Sequence, residues 1–249
     1  MSEPAPQSLP ALLPLGVDGV LVKVAMTATP RAVGEVHALL HRLEQAAIPG
    51  MTEIAPSLTS ILLRFDPART SRQAVSEAAH AVMAQDSWHR ESFEAPARRW
   101  TIPACFSGDH APQLAEAAAA AGIGQAQAVE DLTTTELRVL AIGFAPGQPY
   151  LGLLPEAWNF PRQSGLTPQV PVGAICVAVR QVVMFGISSP TGWRQAGRAA
   201  FQTFQPESDT PFPLSPGDAL RYVPVSEDEI GALLESGDPM GGATCEVLA

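Results

Sequence analysis

The sequence has few charged residues, and those it has are mostly acidic. Asp, Glu, Lys and Arg make up 16% of the 249 residues, and 25 acidic residues against 15 basic ones give a formal net charge of -10. A negative protein repels a phosphate backbone, so the composition argues against a nucleic acid partner. The hydrophobic content of 46% is sufficient for a buried core. The length allows one large domain or two small ones, and we expect two.

Cysteines and long apolar runs are also scarce. Cys105, Cys176 and Cys245 are widely spaced and form no Cys-x-x-Cys pair, so neither a disulfide framework nor a thiolate metal site is predicted. No run approaches the roughly 18 apolar residues that a membrane-spanning helix needs. The N-terminal segment has no basic residue ahead of an apolar run, unlike a secretory signal. We therefore expect a soluble cytoplasmic protein without a membrane partner.

Composition shifts along the chain predict four segments. Residues 1–14 are proline-rich and are predicted to form a disordered lead-in. Residues 15–98 alternate strand and helix patterns, which predicts a small α/β domain. Residues 99–225 hold two Ala-rich helices and then short apolar runs separated by Gly and Pro, which favour a closed or rolled β architecture. Residues 226–249 form a final helix and tail. The fold class predicted for the whole chain is α+β.

In the first domain, apolar periodicity and turn residues define the elements. In chain order they are a strand at Gly19–Ala25, a helix from the N-cap Thr29 to Pro49-Gly50, strands at Met51–Ala55 and Ser60–Phe65, and a helix capped near Thr70 or Ser71. The order β, α, β, β, α predicts a small open sheet with its helices on one face.

In the second domain the same criteria predict mostly short strands. The predicted strands are 138–144, 174–179, 182–185, 199–204 and 219–223. Two helices, at 112–121 and 125–133, precede them, and a last helix follows that starts with the capping box Ser226 and Glu229.

Common catalytic signatures are absent from the sequence. It contains no P-loop, no Gly-x-Gly-x-x-Gly, no His-Glu-x-x-His and no Gly-x-Ser-x-Gly. His37 and His41 have the i, i+4 spacing of a metal pair, but no further ligand is implied nearby, so we interpret them as a solvated helix flank and predict no metal. Asp109-His110 is interpreted as a helix start rather than an acid/base pair.

Two segments rich in Gly and Pro are the candidates for ligand binding. Ile142–Pro155 follows a strand and can be a rigid loop whose N–H groups face an anion or a polarised carbonyl, or simply a tight turn. Ser188–Trp193 adds hydroxyl groups and an indole donor. Arg198 follows it and can hold a carboxylate or phosphate with two parallel hydrogen bonds, or form a surface salt bridge.

These segments carry a resemblance to a known family. The matching residues lie within Gly143–Gly152, Pro161-Arg162, Val170–Gly173, Gln181, Ser189–Trp193, Gly197-Arg198, Phe204, Pro206 and Pro216–Asp218. In order and spacing they resemble the family of 5-oxoprolinase B subunits, KipI-like proteins and allophanate hydrolase subunit 1, a carboxyltransferase domain of subdomain C/D type. The match spans Arg99 to about Pro224, and the first domain agrees more loosely.

The resemblance implies both a fold and partners. The fold is a ferredoxin-like N-terminal domain followed by a cyclophilin-like β-barrel. The partners are a second subunit, similar to KipA-like proteins and 5-oxoprolinase C subunits, and a third, A-type subunit. In the family role that this implies, the complex uses ATP to open the lactam ring of 5-oxoproline, which yields glutamate.

The resemblance also implies a small-molecule site, but it assigns no catalytic acid or base. The implied substrate-binding residues are Gly143, Phe144, Pro146, Gly147, Tyr150, Gln181, Ser189, Gly192, Trp193 and Arg198. Arg198 suits the substrate carboxylate, and the other donors suit charge that develops on an activated lactam oxygen.

The chain departs from the family pattern at several positions, one of which, Val183, is usually glycine, while the others usually carry a polar or aromatic group. These positions are Leu132, Leu137, Gln148, Val182 and Val183. Three functions therefore stay open: a subunit of an ATP-dependent 5-oxoprolinase, a subunit of a carboxyltransferase or amidolyase for a urea-like or amide substrate with biotin on a partner, and a non-catalytic inhibitor of a histidine kinase.

Overall fold

A computed structural model describes residues 9–85, 88 and 95–248. The chain divides into two compact units, Met1–Ala95 and Pro96–Ala249. The first eight residues of the predicted lead-in lie outside the described residues. For residues 11–14 the prediction of disorder is wrong, because Ala11–Leu15 forms a strand that pairs in register with Gly19–Lys23. Among the described residues, no helix is both long and apolar enough to cross a membrane.

The first unit is a four-stranded antiparallel sheet with two helices. Its elements are β1 (Ala11–Leu15), β2 (Gly19–Lys23), α1 (Pro30–Gln45), β3 (Met51–Pro56), β4 (Ser60–Phe65) and α2 (Arg72–Met83). The strand order is β1-β2-β4-β3. From β2 onward, the order β-α-β-β-α is that of a ferredoxin-like βαββαβ unit. The strand beside β2 is β1, which precedes it in the chain, instead of a last strand that follows α2.

Local signals start both helices of this unit, as the sequence predicts. The Thr29 hydroxyl accepts a hydrogen bond from the Ala32 N–H at 3.1 Å, and Pro30 occupies the first helical position. Ser71, rather than Thr70, caps α2 by accepting from the Ala74 N–H. Alternate strand residues such as Val22 and Leu63 are buried against the apolar faces of the helices, in a core shared by the whole unit.

The second unit is a closed β-barrel with three helices. Its elements are β5 (Arg98–Cys105), α3 (Leu114–Ala121), α4 (Gln125–Thr134), β6 (Leu137–Ile142), β7 (Pro149–Gly152), β8 (Thr167–Val170), β9 (Ala174–Ala178), β10 (Gln181–Met184), β11 (Ser189–Thr191), β12 (Arg194–Ala199), β13 (Ala219–Pro224), α5 (Glu227–Glu235) and β14 (Thr244–Val247). Seven strands close the ring in the order β5-β12-β9-β10-β7-β6-β13. The predicted α+β class and the barrel are confirmed.

Strand β5 closes the ring by pairing on both of its edges. On one edge, β13 runs parallel to it from Arg99 to Ala104. The other edge is divided: β12 pairs with Ala104 and Cys105, and β14 pairs with the first half of the strand. The C-terminal tail is therefore part of the sheet of this unit.

Several strand predictions in the barrel need correction. The predicted strand 199–204 is wrong, because the strand is β12, Arg194–Ala199. Its sequence, Arg-Gln-Ala-Gly-Arg-Ala, has no β-branched residue, so its pairing with β9 and β5 outweighs its low intrinsic β-propensity. Strands β7, β8, β11 and β14 are short or contain proline and were not predicted. The capping box of Ser226 and Glu229 is confirmed at the start of α5.

A buried carboxylate joins β5 to the turn before β13. Asp218 accepts hydrogen bonds from the Arg98 guanidinium at 2.6 and 3.0 Å, from the Trp100 indole N–H at 3.1 Å and from the Ser215 N–H at 2.9 Å. The hydrogen bonds that Arg98 donates to the Asp218 carboxylate raise the pKa of Arg98. This network gives a structural reason for the Pro216-Gly217-Asp218 motif.

Candidate functional site

A cavity of ≈ 220 Å³ lies between the two Gly/Pro-rich segments of the barrel unit. The first segment contributes Phe144, Gln148 and Tyr150, and the second contributes Pro190, Thr191, Gly192 and Trp193. Val183 and Phe185, both buried, come from β10 and the residue after it. Arg162 and Leu166 complete the lining from the segment before β8. Barrel closure therefore brings together residues that are far apart in the sequence.

The first segment forms a tight turn that presents an aromatic ring. Phe144 is 74% exposed and has φ 72°, a left-handed conformation that is strained for a residue with a side chain. The Gly143 N–H donates to the Gln148 carbonyl, and the Gln148 N–H donates to the Ala145 carbonyl. These two donors therefore hold the turn and are not directed at an anion.

Gly147 is required by the packing of this turn. Its φ is +68°, and a Cβ atom at this position would lie 2.1 Å from the carbonyl oxygen of Thr203. The packing of the turn therefore explains why this position is glycine, and no contact with a ligand is needed to explain it. Gly143 differs, because a Cβ atom there would have no neighbour within 4 Å.

The second segment positions an indole between a phenol and a guanidinium. The Thr191 hydroxyl accepts from the Trp193 N–H at 3.1 Å, which fixes the backbone of the segment. The Trp193 ring meets Tyr150 edge to face, with ring centroids 6.2 Å apart. The guanidinium carbon of Arg162 lies 4.9 Å from the Trp193 ring centroid, within the range of a cation–π contact. A planar ligand with an anionic group fits such a set of side chains.

Gln148 provides an unsatisfied polar group in the cavity lining. The residue is only 1% exposed, and its Oε1 atom has no hydrogen-bond partner. Buried polar atoms are usually paired, because leaving one unpaired costs about 1–3 kcal/mol.

The structure brings together only some of the residues predicted for the site. Phe144, Tyr150, Gly192 and Trp193 line the cavity. Gly143, Pro146 and Gly147 lie in the turn that carries the first wall but do not line the cavity. Gln181, Ser189 and Arg198 are also outside the lining. Gln181 and Ser189 are buried in β10 and β11.

Arg198 does not belong to this cavity. It lies on β12, its Nε donates to the Val172 carbonyl at 3.3 Å, and partial burial lowers its pKa. The guanidinium at the cavity is that of Arg162, which the sequence analysis noted only within a motif. Gln148 was noted only as a departure from the family pattern, and that departure was the signal that could have identified it.

A larger cavity, of ≈ 580 Å³, contains none of the predicted site residues. It lies beside Gln205 and Met240. The Gln205 side chain donates to the Gln202 and Pro239 carbonyls, so its amide is already used within the fold. We therefore take the smaller cavity as the candidate site. Among the described residues, no cluster of His, Cys, Asp and Glu suitable for a metal ion is found.

Comparisons with known proteins agree with this architecture. Residues 10–214 match the family described as carboxyltransferase domain, subdomain C and D. The B subunit of 5-oxoprolinase from Bacillus subtilis (strain 168) is 29% identical over 229 residues, covering 89% of this chain and 95% of that protein. The B subunit of 5-oxoprolinase from Escherichia coli O157:H7 is 31% identical over 215 residues, covering 86% and 95%.

Solved structures show the same fold. The crystal structure of TTHA0988 superposes with a TM-score of 0.68 at 27% identity, covering 84% of this chain but only 40% of that one. The urea amidolyase of K. lactis gives a TM-score of 0.74 at 16% identity, covering 99% of this chain and 17% of that one, which supports the fold alone. The resemblance inferred from the sequence is confirmed: this chain belongs to the family of carboxyltransferase domains of subdomain C and D type, together with the B subunits of 5-oxoprolinase.

Proposed function

We propose that this chain is the B-type subunit of an ATP-dependent 5-oxoprolinase, a heteromeric enzyme that hydrolyses the lactam of 5-oxoproline to glutamate. The names of the two relatives, each covered over 95% of its length, support this proposal. The observation that carries it is the cavity formed by the two motif segments. It combines aromatic walls, a guanidinium and an unpaired carboxamide on the scale of a small metabolite.

Each part of the cavity has a role in this proposal. Tyr150 and Trp193 contact the faces and edges of the small planar ring. Arg162 lies over the Trp193 ring and binds the substrate carboxylate, because a guanidinium pairs with a carboxylate through two parallel hydrogen bonds. Buried Val183 and Phe185 exclude water from the ring. These contacts bind the lactam and fix its orientation.

The chemistry of ring opening is shared with the partner subunits in this proposal. The described residues that line the cavity include no carboxylate, imidazole or amine. A resonance-stabilised lactam needs its oxygen activated, and phosphorylation by ATP provides this. The cavity, at ≈ 220 Å³, is on the scale of a small metabolite, and the only cationic side chain among its described lining residues is that of Arg162. We therefore assign ATP and the proton transfers to the A-type and C-type subunits.

Reconstitution tests the proposal. The chain is to be purified with A-type and C-type 5-oxoprolinase subunits from the same organism, and ATP hydrolysis and glutamate formation from 5-oxoproline are then measured. We expect turnover only with all three proteins. Full turnover without this chain, or none with it, contradicts the proposal. A biotinylated companion in affinity purification would indicate carboxyl transfer instead, and a histidine kinase would indicate a regulator.

The carboxylate partner can be identified with two arginine variants. We expect Arg162→Leu to raise the KM for 5-oxoproline about 10- to 100-fold, because a bidentate charged pair is lost, with a smaller change in kcat. Arg198→Leu is expected to leave the KM within about twofold, since Arg198 lies outside the cavity. Arg221→Leu, on the exposed side of β13, is the control for loss of one positive charge. The reverse ranking would assign the carboxylate to Arg198.

A further inference from the structure

Gln148 is a buried polar residue that the fold itself does not satisfy. Its backbone closes the turn, but Oε1 of its side chain has no partner although the residue is almost fully buried. In contrast, the amide of Gln205 donates to two backbone carbonyls. An unsatisfied buried amide lowers stability, so its presence in a cavity lining points to a partner that arrives from outside the chain.

Gln148 shares its surroundings with a second unpaired polar group and with the aromatic walls of the cavity. At Gly186, a Cβ atom would lie 2.8 Å from the Thr203 hydroxyl and 3.9 Å from Cβ of Gln148, so a side chain there would crowd the Thr203 hydroxyl. The Thr203 hydroxyl is also buried and has no partner. Tyr150 and Trp193 flank the same cavity with their rings. Gln148 therefore lines a small cavity whose walls are partly aromatic and partly polar.

The chemistry of a carboxamide selects the partner. It presents a carbonyl acceptor and an N–H donor side by side in one plane. A cis-amide presents the complementary edge, N–H beside C=O, and the two edges can form two parallel hydrogen bonds. Lactams, cyclic imides and cyclic ureas have this edge, whereas a trans peptide bond has its N–H and C=O on opposite sides. The pairing also works with the oxygen and nitrogen of the carboxamide exchanged.

We propose that Gln148 is a specificity-determining residue that binds the cis-amide edge of the ligand through two hydrogen bonds. The inference rests on the proposed function only in taking this cavity as the substrate site. It adds a role for Gln148, which is not among the substrate-binding residues that the resemblance implies. Arg162, on the exposed rim, then selects among cis-amides for those that carry a carboxylate.

Binding to the isolated full-length chain tests this role without any turnover. The probes are 2-pyrrolidone, which has the cis-amide edge and no charge, 5-oxoproline, and N-methyl-2-pyrrolidone, which lacks the N–H. We expect the first two to shift the NMR signals of the Gln148 side-chain amide and the Trp193 indole in a saturable manner. The N-methyl probe is expected to bind at least about 10-fold more weakly than 2-pyrrolidone.

A shape-matched variant separates hydrogen bonding from packing. Gln148→Met keeps the length of the side chain, and we expect it to weaken 2-pyrrolidone binding about 10- to 100-fold and to remove the preference over the N-methyl probe. Gln125→Met, on the exposed start of α4, is the control and should bind as the unaltered chain does.

Three results would overturn the inference: no saturable binding of any cis-amide probe, equal binding of the N–H and N-methyl probes, or an unchanged preference in Gln148→Met. Equal binding of the probes would show that the N–H of the ligand makes no hydrogen bond to Gln148. Failure of the proposed function is distinguishable, because it appears as missing turnover in the reconstituted complex while the binding preference remains.

Discussion

Asp218→Ala is expected to lower the free energy of unfolding of the barrel unit by about 3–5 kcal/mol. The substitution removes an acceptor that is 6% exposed and leaves the Arg98 guanidinium, the Trp100 indole and the Ser215 N–H without it. Trp100 is only 5% exposed, so water replaces the lost contact of its indole N–H incompletely. Urea denaturation followed by circular dichroism measures the change.

A neighbouring ion pair provides the matched control. Arg99 pairs with Glu136 at 2.8 Å, but the Glu136 side chain is 43% exposed, whereas that of Asp218 is 6% exposed. Glu136→Ala is therefore expected to cost less than about 1 kcal/mol, as is usual for surface pairs. Asp218→Asn keeps the volume and one acceptor oxygen, so we expect an intermediate loss. Equal losses in Asp218→Ala and Glu136→Ala would show that the buried network does not stabilise the barrel.

Gly147→Ala is expected to distort the turn that carries the first cavity wall. The new methyl group would lie 2.1 Å from the Thr203 carbonyl oxygen, and φ +68° is strained for alanine. Overpacking and the left-handed conformation together are expected to cost about 2–4 kcal/mol. The turn that carries Gln148 must also move, so we expect binding of 2-pyrrolidone to the isolated chain to be lost. Urea denaturation and NMR titration measure the two effects.

Gly143→Ala is the control within the same segment. A Cβ atom at Gly143 would meet nothing within 4 Å, so stability is expected to change by less than about 0.5 kcal/mol. If the two glycine variants proved equally stable, the close approach to Thr203 would not be what requires Gly147.

The parts of the fold that depend on neighbouring residues were predictable from the sequence. Thr29 and Ser71 cap helices through bonds to residues three positions later, and Ser226 with Glu229 does the same at α5. Such bonds need no tertiary contact, so the sequence pattern suffices. Strand β12 was misplaced because its partners, not its own residues, make it a strand.

Recognition of the candidate site from the sequence was incomplete for a related reason. Motif spacing identified Tyr150 and Trp193, which do line the cavity. The same reasoning favoured Arg198, but that arginine lies on β12, outside the lining. Whether a loop residue such as Gln148 or Arg162 faces a cavity depends on where other strands place the opposite wall. This information is non-local and appears only once the barrel is closed.

The pairing of β5 has a consequence for the order of folding. β5 is the first barrel strand in the chain, yet its ring neighbours β12 and β13 are among the last. During synthesis, β5 therefore emerges from the ribosome long before its partners and has two open edges and the apolar Trp100 and Ile102. Such high contact order makes ring closure slow and leaves a strand that can aggregate. In the first unit, β1 pairs with β2 across a short turn, so this pair can form as soon as both strands have been synthesised. The nascent barrel is thus the part of the chain that we expect chaperones to bind.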